Sequence, residues 1–157
     1  MPTRRTPIPL NIDNISKQRQ LNDKGRADAK LVGEVFKAAG TPIGKSYSSQ
    51  FYRAVETARL IGGKEPRATP DVTEGGLVVS PNENARRARA FRAIVAAAPD
   101  SGTNTLVVTH NPNILDVFGQ DWFEVKEGEA SIFKRDGTGN YSLIARVQIG
   151  QWAAAKK

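Results

Sequence analysis

The chain of 157 residues contains no cysteine and a single histidine, His110. Without thiols it forms neither disulfides nor thiolate metal sites, an absence compatible with a reducing or an oxidising compartment. One imidazole and no clustered carboxylates leave too few ligands for any standard metal arrangement, so no metal site is expected. Glycine is grouped at Gly62-Gly63, Gly75-Gly76 and Asp136-Gly137-Thr138-Gly139, but none of these has dinucleotide-loop or P-loop spacing. No apolar run approaches the length that crosses a bilayer, and Met1 to Ile15 lacks the basic-then-apolar order of a secretory signal.

What the chain does carry is positive charge, 23 Lys and Arg against 16 Asp and Glu, a net +7. Such a surface attracts anions: a phosphorylated small molecule, an acidic protein surface or nucleic acid. The basic residues are dispersed, apart from Arg86-Arg87-Ala88-Arg89 with Arg92. That cluster reads as the solvated face of a helix whose apolar stripe is Ala88, Phe91, Ile94, Val95 and Ala98. A basic nucleic-acid-binding module remains a lesser alternative, because no recognised motif and no interleaved aromatics accompany the arginines.

The length suits one domain with a core. Residues 1–18, rich in proline and without periodicity, read as an irregular N-terminal arm, 19–152 as the folded domain and 153–157 as a tail. Leu31, Val32, Val35, Phe36 and Ala39 recur at helical spacing, with Asn22 or Asp23 as cap and Gly40 as stop. Lys45 to Ser48 reads as a short strand, and Gln50 to Ile61 as a helix closed by Gly62-Gly63. Lys64 to Pro81 reads as a long loop holding at most a short strand near Ala68 to Val72. A third helix is expected over Asn82 to Ala98. Thr105 to Thr109 is a continuous apolar, β-branched run, the pattern of a strand buried on both faces. A short helix follows to Phe118, and Ala130–Lys134 with Tyr141–Ile149 reads as a hairpin. The order predicts a three-layer α/β/α sandwich with a mostly parallel sheet and a C-terminal antiparallel hairpin. Folds of this kind usually begin with a strand, and none precedes the first helix here.

In open α/β sheets, ligands bind beyond the carboxyl ends of the strands. Two segments have that placement: Ser48-Ser49-Gln50-Phe51-Tyr52-Arg53, and Thr109-His110-Asn111. A guanidinium and an imidazole brought together beside helix N-termini make a phosphate site, since arginine forks onto two phosphate oxygens and backbone N–H groups add positive potential. Each residue alone reads as readily as a solvated arginine and a hydrogen-bonded structural histidine.

The segments Leu21 to Ala29 ("LNDKGRADA") and Ser48 to Ala58 ("SSQFYRAVETA") resemble the L-(S/T/N)-x-x-G-R-x-x-A and S-S-x-x-x-R-A-x-x-T-A segments of the histidine phosphatase superfamily, the phosphoglycerate mutase-like proteins. "TNTLVVTHNPNI" is similar to its later strand ending in the second catalytic histidine, and "EGEASIFKRDGTGNYSLIARV" to the terminal hairpin of its small phosphatase branch. The resemblance runs from about Arg19 to Trp152. It implies a phosphate-pocket role for Arg53, a phosphoryl-stabilising role for His110, and a proton-donor role for a loop carboxylate, here Glu74. Ser49 and Asn111 are further candidate phosphate contacts. The implied reaction is hydrolysis of a phosphate monoester through a phosphohistidine, with no cofactor or metal.

One departure stands against the match. The family's nucleophile lies in an Arg-His-Gly or Arg-His-Ala motif at the end of a strand ahead of the segment that Leu21 begins. This chain has no such strand and no second histidine. Arg4-Arg5 cannot substitute, because a guanidinium stays protonated. Two expectations follow: the sequence is an N-terminally shortened form of an ordinary phosphatase, or it is a pseudo-enzyme that keeps Arg53 and His110 for anion binding. Either way, little turnover is expected of the chain as written. A missing strand also leaves sheet edges that the arm covers or that a second copy pairs with. Compartment stays open, with export compatible only if a signal precedes Met1.

Overall fold

The computed structural model describes residues 18–75, 79–119, 125–126, 128–136, 138 and 140–155. The N-terminal arm up to Lys17 and the two final lysines therefore lie outside the described residues. Helix α1 spans Asp23–Ala38, and Asn22 caps it by accepting a hydrogen bond from the Gly25 N–H. Strand β1, Ile43–Ser48, leads into α2, Tyr52–Gly62, which ends on Gly63 in the left-handed conformation that glycine adopts without strain. The long loop holds a two-residue strand β2, Arg67–Ala68, and a 3-10 turn, Pro70–Val72, where the sequence had suggested one short strand. Pro70 suits the first position of such a turn and removes a ladder donor, so the strand stops before it.

Helix α3, Pro81–Ala96, starts at Ser80, whose hydroxyl accepts from the Glu83 N–H. Strand β3 is Asn104–Val108, α4 is Asn111–Phe118, and the hairpin strands β4 and β5 are Ala130–Arg135 and Tyr141–Val147. A fifth helix, α5, Ile149–Ala155, occupies residues that composition had suggested were hairpin end and tail. Its Trp152, 4% exposed, packs against Phe36 of α1 with ring centroids 5.3 Å apart. One buried aromatic anchors a helix that its alanines alone would not specify.

The parallel sheet has the order β2-β1-β3, and the antiparallel β4-β5 pair is a second sheet. Helix α2 lies on β1 and β3, α1 lies on α2, and α3 packs on α4 and the 3-10 turn. An aromatic group joins the second sheet to these helices: Phe118 stacks on Phe133 at 4.7 Å and meets Phe91 and Tyr141 edge-on. The fold is thus α/β with a mostly parallel sheet and a terminal hairpin, as the sequence predicts.

Strand β3 departs from expectation, for Leu106, Val107 and Val108 are half-buried. Among the described residues β3 pairs with β1 alone, so it forms an edge of its sheet and lacks the two-sided shelter that its apolar run suggested. The side chains most enclosed by β1 are small hydroxyls, Ser46 and Ser48.

The α1–α2 contact depends on Gly33, where an added Cβ would sit 2.7 Å from the carbonyl oxygen of Ile61 and 3.0 Å from that of Leu60. In a free helix Gly→Ala stabilises by about 1 kcal/mol. Here the helices must separate, and we expect Gly33→Ala to destabilise the fold by about 1–2 kcal/mol net, read as a lowered urea midpoint. A raised midpoint would show that the contact is not tight.

Candidate functional site

The sheet register builds the site. Ser48 of β1 is opposite Val108 of β3, and the Ser49 N–H donates to the Val108 carbonyl at 2.9 Å. The two chains therefore leave the sheet side by side, one into α2 and the other into α4. Ser49, fully buried, and His110, half-buried, meet directly: His110 Nε2 is 2.6 Å from Ser49 Oγ. Arg53, in the first turn of α2, brings Nη2 to 3.4 Å from His110 Nδ1. Phe51, not singled out by the sequence, packs against both, with its ring edge-on to the imidazole at 5.3 Å and facing the Arg53 guanidinium at 4.9 Å. Its only signal in the sequence is an aromatic two positions before the arginine.

These contacts decide the tautomer. A guanidinium only donates, so His110 Nδ1 accepts from Arg53 and the ring proton sits on Nε2, which donates to Ser49 Oγ. Ser49 Oγ also accepts from the Phe51 N–H at 3.2 Å, which leaves its own hydroxyl hydrogen to donate elsewhere. Burial first, and the adjacent Arg53 charge second, push His110 down to about 4 from its ordinary 6.5. The imidazole is neutral at pH 7. Its unfolded counterpart takes a proton near 6.5, so the stability this group contributes is present above that pH and declines as pH falls towards 4.

Both helices that open at this point lack a side-chain cap. Phe51 caps α2 and His110 caps α4 with backbone only, whereas Asn22, Thr69 and Ser80 cap their elements with side-chain oxygens. Gln18 takes the Tyr52 N–H of α2 at 2.7 Å. The two helix N-termini, a guanidinium and an imidazole concentrate positive potential in one place, a setting for an anion.

The remaining candidates are placed as follows. Asn111 is exposed, and its amide donates to the Val125 carbonyl at 3.1 Å, a bond that ties α4 to the chain beyond it. Glu74 is half-buried, with no hydrogen bond or ion pair among the described residues. It directly follows Thr73, whose hydroxyl accepts from the Gln50 N–H and whose carbonyl accepts from Asn113 in α4. Its backbone is thereby held beside both strand ends. The arginine cluster of α3 is largely engaged: Arg86 with Glu83 and Asp71, Arg87 with Glu83 and the Thr73 carbonyl, Arg92 with the Asp116 carbonyl.

The sequence profile of the histidine phosphatase superfamily (branch 1) matches residues 14–77. Over that segment the chain is similar to the histidine phosphatase superfamily. No curated protein matches the chain by sequence. Among solved structures the chain resembles that of the protein histidine phosphatase SixA complexed with tungstate, with a TM-score of 0.63 and 17% identity over 85% of this chain and 86% of that one. At that identity the likeness shows the fold, and the superfamily match covers the segment that carries Ser49, Arg53 and Glu74.

We expect nitrogen-detected NMR of His110 to show the Nε2–H tautomer at pH 7 and a titration midpoint near 4. Arg53→Met should raise that midpoint while leaving it below 6.5, since burial remains. A wild-type midpoint at or above 6.5 would contradict the arrangement.

Proposed function

We propose that this chain binds the phosphate group of a small phosphorylated molecule at Arg53 and His110. The chemistry such a site serves is hydrolysis of a phosphate monoester through a phosphohistidine. The observation that carries the reading is the approach of Arg53 to the single imidazole at the starts of α2 and α4. The SixA structure of similar fold is complexed with tungstate, a tetrahedral oxyanion like phosphate, which supports oxyanion binding by a fold of this kind.

Arg53 would fork onto two phosphate oxygens, releasing Nδ1 of His110. An anion beside the imidazole raises its pKa, so His110 would take up a proton and donate to a third oxygen. The Ser49 hydroxyl hydrogen, left free by two incoming donors, would supply a further bond. In a full cycle, an imidazole attacks phosphorus, the bond to the leaving oxygen breaks and a carboxyl group gives that oxygen its proton; water, losing a proton to the carboxylate, then displaces the imidazole and releases phosphate. Glu74 is the candidate donor. With His110 engaged in binding, the 157 residues hold no second imidazole for the attack, so the chain acts as an anion-binding domain with little turnover of its own. The internal pairing of Arg86, Arg87 and Arg92 argues against nucleic acid as the principal partner.

Isothermal titration with inorganic phosphate should give saturable one-site binding, weakened about tenfold or more by Arg53→Ala and by His110→Ala. Hydrolysis of an aryl phosphate should stay at the level of buffer. Absent or variant-insensitive binding would overturn the site, and turnover lost in His110→Ala would overturn the non-catalytic reading.

A further inference from the structure

We propose that Thr73 is the positioning residue of this pocket, a clamp that sets Ser49 against His110. The proposal deepens, and rests on, the reading of Arg53 and His110 as a phosphate site. Thr73 follows the 3-10 turn, is 2% exposed and touches neither Arg53 nor His110 through any hydrogen bond. Its hydroxyl accepts from the Gln50 N–H at 2.9 Å and donates to the Thr69 carbonyl at 2.8 Å. Its carbonyl accepts from Asn113 Nδ2 at 3.2 Å and from Arg87 Nη1 at 3.1 Å.

The position of these bonds along the chain gives them their role. Gln50 is the residue after Ser49, so the hydroxyl fixes the backbone immediately beyond β1. Asn113 is in the first turn of α4, three residues after His110, so the carbonyl anchors, through the Asn113 side chain, the start of the helix that follows β3. Next to Thr73, the buried Val72 accepts from the Thr109 hydroxyl at 2.6 Å, one residue before His110. Val72 and Thr73 thus hold the segments flanking both members of the 2.6 Å Ser49–His110 bond. Thr69 extends the clamp, since its N–H donates to the Ser48 carbonyl at 3.0 Å. Valine fills nearly the same volume and can make neither hydroxyl bond, so it isolates the polar contribution; serine retains it.

The experiment uses the full chain with tungstate as probe, measuring affinity by isothermal titration and the His110 midpoint by NMR. Thr73→Val, confirmed folded by circular dichroism, is expected to weaken tungstate about five- to tenfold, through loss of buried hydrogen bonds, and to move the His110 midpoint upward as its enclosure loosens. Thr73→Ser is expected to restore both to within about twofold of wild type. A folded Thr73→Val with unchanged affinity and midpoint overturns the proposal, as does a Thr73→Ser that behaves like Thr73→Val. Should Thr73→Val not fold, Asn113→Leu removes the carbonyl-side bond alone and is read the same way: both changes support the clamp, and neither overturns it. If wild type does not bind tungstate, the phosphate reading fails, and the His110 midpoint alone decides whether Thr73 positions the ring.

Discussion

Everything at the site follows from the parallel register of β1 and β3. Pairing Ser48 with Val108 sends two chains out of the sheet together and brings Ser49 to His110. The first turn of α2 then carries Arg53 to the other ring nitrogen of the imidazole. A slip of one residue would turn alternate side chains to the opposite face of the sheet and dissolve the contact. The register is held in turn by the Ser49 N–H on the Val108 carbonyl and by the Thr73 bonds that grip both strands past their ends.

The electrostatics of this arrangement suit the oxyanion site proposed for it. Arg53 faces a base that burial and its own charge keep neutral, so the resting pocket holds one positive charge in place of two. An oxyanion would reverse that balance by favouring the imidazolium. Phe51 packs against both, its ring under the Arg53 guanidinium and at a steep angle to the imidazole, which limits the orientations open to them.

Much of this was legible in the residues. Helix α1 announces itself through apolar spacing and its Asn22 cap, and the glycine closures of α1 and α2 follow from local stereochemistry. Arg53 and His110 could be placed at strand ends because β-branched runs, caps and turns are local signals. Tertiary features were not legible. Helix α5 depends on Trp152 finding Phe36, and β3 looked like an interior strand because composition cannot tell how many neighbours a strand has. Thr73 is an ordinary loop threonine in the sequence. Its partners Gln50 and Asn113 lie 23 and 40 residues away, so only the fold assembles them. Asn111 was read from its place beside the histidine, but its amide is engaged with Val125, a contact with no sequence pattern.

The central claim, an oxyanion pocket between Arg53 and His110, is tested most directly by a crystal structure of the chain grown with tungstate, whose heavy atom locates itself by anomalous scattering. The account predicts a peak within hydrogen-bond reach of the Arg53 guanidinium and the His110 ring, with the Arg53–His110 contact opened to admit it. A pocket left empty at saturating tungstate, with that contact intact, would contradict it.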